Sequence, residues 1–117
     1  MMRWLAVYLI AATPLLAEAH AYLVSSDPPH KASLSEAPTR LKLRFSEPIE
    51  IAFMKLVLQR DGQSQKAPLK ISPGSDKRTV IIESAFADAG SYQLGWSIVA
   101  RDGHRTEGSV IFSVNAR

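Results

Sequence analysis

Polar and apolar residues alternate along several short stretches of the chain. In Leu41-Lys42-Leu43-Arg44-Phe45 the apolar side chains point one way and the cations the other. Tyr92, Leu94, Trp96 and Ile98 share a face opposite Gln93, Gly95, Ser97 and Val99. Val110, Phe112 and Val114 repeat the pattern near the end, although Ile111 on the other face is apolar too. A period of two is the mark of a half-buried strand. The same reading extends these runs to Thr39–Ser46 and Ser91–Val99, and adds strands over Tyr22–Ser26, Ile51–Gln59, Leu69–Ser72 and Arg78–Glu83. Asp27-Pro28-Pro29, Asp61-Gly62, Pro73-Gly74 and Asp102-Gly103 supply the turns between them. No stretch offers a long amphipathic helix, and Ala85 to Ala89 suffices for one helical turn at most. About seven short strands predict an all-β fold, an immunoglobulin-like antiparallel β-sandwich with Greek-key connections. Tyr92, following Asp88-Ala89-Gly90-Ser91 at the start of the penultimate strand, stands where a tyrosine corner belongs.

The first 19 residues are of a different kind. Met1-Met2-Arg3 is a short positive region, Trp4 to Leu16 is mostly apolar, and Ala17-Glu18-Ala19 has the small-x-small form of a cleavage site. Together they predict an exported protein whose leader is removed after Ala19. The apolar run is shorter than the roughly 20 residues of a spanning helix, and no later segment is long or apolar enough to cross a membrane. Removing 19 residues from 117 leaves His20–Arg117, 98 residues, enough for one small domain.

The formal charge is +3, and loss of Arg3 and Glu18 leaves it unchanged. The cations are dispersed, without the basic cluster and interleaved aromatics that suggest a nucleic-acid partner. Cysteine is absent, which excludes a thiolate metal site, a thiol nucleophile and any disulfide staple.

Strand parity then gathers chemistry at one end of the sandwich. If successive strands run up and down, the start of the mature chain, the connection after Ser46 and the hairpin around Asp102-Gly103 share that end. It would hold His20, Glu47, Asp102 and His104, with His30 left in the first connection at the opposite end, in solvent. After cleavage His20 carries a free α-amine, which can close a chelate ring with its own imidazole Nδ1. His104 offers a third nitrogen, and Asp102 or Glu47 an oxygen. Three nitrogens and one oxygen in a plane are what Cu(II) favours, and Cu(II) heads the stability order for such donors. Taken singly, each residue has a plain structural explanation: an accident of the cleavage point, a polar hairpin residue, a strand end.

Three motifs make the chain similar to the CopC family of periplasmic copper-resistance proteins. They are His20-Ala21-Tyr22-Leu23-Val24-Ser25-Ser26-Asp27-Pro28, then Leu43-Arg44-Phe45-Ser46-Glu47-Pro48, then Gly95-Trp96-Ser97-Ile98-Val99-Ala100-Arg101-Asp102-Gly103-His104 with Gly108-Ser109-Val110-Ile111-Phe112. The resemblance implies a periplasmic Cu(II) carrier, buffer or sequestering factor without enzymatic activity, binding one ion per chain. It carries the ligand roles to His20, Asp102 and His104, with Glu47 a ligand or a neighbouring carboxylate. It also implies an inner-membrane copper importer of the CopD type as a partner. Some members bind Cu(I) through a methionine-rich segment. Here the mature chain has only Met54, in an apolar stretch, so no dedicated Cu(I) site is expected. Two other functions fit parts of the pattern: a small copper-dependent oxidative enzyme with an N-terminal histidine site, and a metal-free structural sandwich.

Overall fold

A computed structural model describes residues 21–65, 69–83 and 88–116. The leader, His20 and most of the Ala85–Ala89 segment lie outside the described residues.

Among the described residues nine strands form two sheets. In chain order they are β1 (Leu23–Asp27), β2 (Ala32–Leu34), β3 (Arg40–Phe45), β4 (Lys55–Arg60), β5 (Gln63–Ser64), β6 (Lys70–Pro73), β7 (Thr79–Glu83), β8 (Gly90–Val99) and β9 (Arg105–Val114). One sheet has the order β1-β3-β7-β6 and the other β2-β9-β8-β4-β5. This is the immunoglobulin-like sandwich that the alternation predicts. The inward residues of β3 (Leu41, Leu43, Phe45), β7 (Val80, Ile82), β8 (Tyr92, Leu94, Trp96, Ile98) and β9 (Val110, Phe112, Val114) are all buried. Met54 joins them in the core. Among the described residues no polar or charged side chain is buried.

Three details differ from the expectation. Asp27-Pro28-Pro29 ends β1 as expected, but the chain then crosses to the other sheet as a short strand that the pattern does not predict, β2. There it pairs parallel with β9, Ala32 against Phe112. Prolines cannot extend a ladder, so the break becomes a change of sheet. The stretch Ile51–Gln59 is not one strand. Ile51–Phe53 form a 3-10 turn, closed by the Phe53 N–H to Glu50 O and the Met54 N–H to Ile51 O, and β4 starts only at Lys55. An Ile49–Ala100 bridge and the Glu50 N–H to Val99 O bond hold the chain against the end of β8 here, and the turn redirects it between sheets. The two-residue β5 is too short to show a period.

Tyr92 forms the corner bond: its hydroxyl donates to the Asp88 carbonyl at 2.6 Å. Among the described residues no helix is long and apolar enough to cross a membrane.

Candidate metal centre

The β8–β9 hairpin turns in three residues, Arg101-Asp102-Gly103. The Gly103 N–H donates to Ala100 O at 2.9 Å, and the Ala100 N–H to His104 O at 3.2 Å. Gly103 has φ 82°, the left-handed conformation that closes a three-residue hairpin and that glycine tolerates best. Asp102 then folds back over its own turn. Its Oδ1 accepts the His104 backbone N–H at 3.0 Å, and its Oδ2 lies 3.0 Å from His104 Nδ1. The Asp102 side chain is 20% exposed and that of His104 67%. Local sequence alone thus presents an imidazole and a carboxylate side by side, at the edge of solvent.

The same end receives Ala21 and Tyr22, the first of the described residues. β1 runs antiparallel to β3, with Leu23 opposite Phe45. Beyond that pair the Tyr22 N–H donates to Ser46 Oγ at 3.0 Å, and the Ser46 N–H to Tyr22 O at 2.9 Å. Ala21 is buried, and its carbonyl accepts the Thr106 hydroxyl at 2.9 Å. Ala21 is therefore anchored beside Ser46, one residue before Glu47, and beside Thr106, two residues after His104. Glu47 lies exposed at this end. The structure brings Asp102 and His104 into contact and places Glu47 on the same loop end without joining it to that pair. Among the described residues no group of three metal-ligating side chains is assembled. His20 lies outside them.

His30 occupies a different place. It is exposed, but its Nδ1 accepts the Ile111 backbone N–H at 3.1 Å. Ile111 is six residues along β9 from Arg105, roughly 20 Å of strand rise. His30 thus sits well away from the Asp102–His104 hairpin and is exposed, as expected, while its ring also accepts a backbone bond. Ser46 and Thr106, which tether Tyr22 and Ala21, are not singled out by the sequence pattern. Ser46 lies inside the motif that runs from Leu43 to Pro48, and Thr106 carries no signal beyond its nearness to His104.

Comparison with known proteins places these features in context. A family profile described as CopC domain matches residues 23–115. Copper resistance protein C of Pseudomonas syringae pv. tomato is 37% identical over 106 residues, covering 85% of this chain and 83% of its own. The crystal structure of CopC from Methylosinus trichosporium OB3b superposes with a TM-score of 0.73 at 26% identity, over 82% of this chain and 94% of that one. PcoC, a methionine-rich copper resistance protein from Escherichia coli, gives a TM-score of 0.72 at 28% identity, over 82% and 99%.

Proposed function

The chain belongs to the CopC domain family, a family of copper resistance proteins, and from that premise we propose that it is an exported, periplasmic carrier or buffer of Cu(II). Residues 1–19 are the cleaved leader and His20–Arg117 the working domain, which takes one ion per chain. The ligands are the α-amine and ring of His20, the ring of His104 and the carboxylate of Asp102, with Glu47 at hand as a further oxygen.

The observation that carries this reading is the Asp102–His104 pair at the end where Ala21 is anchored. Two donors bound at right angles to one ion, each about 2.0 Å from it, sit about 2.8 Å apart. The 3.0 Å between Nδ1 and Oδ2 suits neighbouring positions around one metal ion. A residue bonded to Ala21 has its Cα about 3.8 Å from the anchored Ala21 Cα, so covalent geometry favours delivery of His20 to this end. The donor set is nitrogen and oxygen, which favours Cu(II) over Cu(I). Met54, the only thioether of the mature chain, is packed in the core at 9% exposed. Release of copper to an importer of the CopD type would use the same open end.

The test is titration of the mature protein, beginning at His20, with Cu(II). Trp96 reports it: this sole tryptophan of the mature chain lies four residues before Ala100, about 13 Å of strand. The expected result is quenching that saturates at one ion per chain and is lost in His20→Ala. Electron paramagnetic resonance of the loaded protein should count three nitrogens. A version with one extra residue ahead of His20 should bind far more weakly, because the amine is then an amide. Absence of any response to Cu(II) overturns the reading. Oxygen- or peroxide-dependent turnover with a reductant would replace the carrier by an oxidative enzyme.

A further inference from the structure

Resting on the copper reading above, we propose that Thr106 is a positioning residue for the metal centre. Its hydroxyl sets the span between the two segments that bring the imidazoles.

The two segments belong to different sheets. Ala21 leads into β1, in the four-stranded sheet, whereas His104 leads into β9, in the five-stranded one. The faces of a sandwich are held together by interdigitated side chains, whose apolar packing is not directional. Thr106 supplies a directional link across that gap, its Oγ1 donating to the Ala21 carbonyl at 2.9 Å. The link falls one residue after His20 on one side and two residues after His104 on the other.

The residue type is informative. Thr106 has the same strand parity as Gly108, Val110, Phe112 and Val114, the inward face of β9. Across the ladder it pairs with Ile98, which is fully buried. Valine there would serve packing equally well and would leave the carbonyl of buried Ala21 without this donor. The hydroxyl is therefore explained by the carbonyl it holds. Ser46 acts on the other side of the same segment, but there the Ser46 N–H to Tyr22 O bond persists without the Ser46 side chain. Thr106 has no such backbone substitute to Ala21. Holding both segments before metal arrives reduces the ordering cost of closing the site, and the benefit appears mainly as slow release.

The experiment compares the mature wild type with Thr106→Val, which keeps the branched shape, and Thr106→Ser, which keeps the hydroxyl. Cu(II) release to a competing chelator is timed, and the resonance spectrum of each loaded protein is recorded. Release should be about tenfold faster in Thr106→Val, with altered copper hyperfine parameters, and Thr106→Ser should restore both. Thr106→Ala gives the same readout if the valine variant does not fold. Wild-type release and spectrum in a hydroxyl-free variant overturn the proposal and leave the copper function standing. A lower melting temperature of the copper-free variant with release and spectrum unchanged also overturns it, reducing Thr106 to a structural role. A wild type that takes up no Cu(II) overturns the copper reading itself, and the role of Thr106 with it.

Discussion

His104 and Asp102 meet twice across one glycine. One carboxylate oxygen takes the His104 backbone N–H and the other faces its ring Nδ1, both at 3.0 Å. The first contact shapes the turn and the second places the imidazole, so the two roles can be separated. Asp102→Asn keeps an oxygen for the backbone N–H and removes the negative charge. It should leave the fold intact while weakening Cu(II) by at least about 10- to 100-fold, because the ion loses an anionic ligand and even an outer partner of a metal-binding histidine is worth that much. Competition titration against a chelator measures this. Unchanged affinity would remove Asp102 from the site.

Tyr92 makes stability depend on alkali. Its ring is stacked on Phe112, with centroids 5.1 Å apart, and its hydroxyl holds the Asp88 carbonyl. Burial pushes the phenol above its ordinary 10.0, with the Asp88 and Asp61 carboxylates adding to the rise against Arg60. The unfolded chain loses this proton near pH 10 and the folded chain keeps it longer, so above about pH 10 the folded state holds more protons and stability falls as pH rises. The contribution is fully present below pH 10 and is lost as pH climbs through the raised value. Tyr92→Phe should cost about 1 kcal/mol at neutral pH and flatten the alkaline limb of urea midpoints. An equally steep limb in the variant would assign the alkaline loss to other groups.

The sandwich was legible because its strands are half-buried. Leu41 to Phe45 and Tyr92 to Ile98 alternate cleanly, since one face of each packs on the other sheet. Tyr92 and the Asp102-Gly103 turn were legible because a corner bond and a left-handed residue each demand a particular side chain. The change of sheet between β1 and β2 was not. Three residues pairing in parallel leave no period, and the sequence of a proline turn is the same whether the chain reverses or crosses. Ile51 and Phe53 imitated a strand because a 3-10 turn also carries apolar residues in close succession. At the hairpin end, Asp102 and His104 could be named from the sequence, whereas the Ser46 and Thr106 tethers depend on which strands become neighbours.

Gly108 is required by the ring opposite it. It pairs with Trp96 across β8 and β9, and a Cβ added there would fall 2.4 Å from Trp96 Cζ2 and 2.8 Å from Cε2. The indole has little room to retreat, because Phe45 stands edge-on to it at 5.2 Å. Gly108→Ala should therefore cost about 2–3 kcal/mol as the strand or the ring shifts. Urea unfolding gives the loss, and a red-shifted Trp96 emission gives its site. Wild-type stability with unchanged emission would mean that the strands separate freely at this rung.

His30 tests whether histidine chemistry is confined to one end. Its Nδ1 takes the Ile111 N–H, while the Lys31 N–H donates to Ile111 O at 2.6 Å. The imidazole thus extends the β2–β9 pairing by one rung beyond Ala32 and Phe112, on an edge that would otherwise face water. Solvent can replace the bond because the ring is exposed, so His30→Ala should cost only about 0.5–1 kcal/mol. Cu(II) affinity should be unaffected, whereas His104→Ala should abolish tight binding while leaving stability near wild type. A His30→Ala variant that loses copper as completely as His104→Ala would place the metal along the β2–β9 edge, about 20 Å from the hairpin. Equal loss in both would thus refute the assignment of the site to the loop end that Ala21, Ser46 and Thr106 hold together.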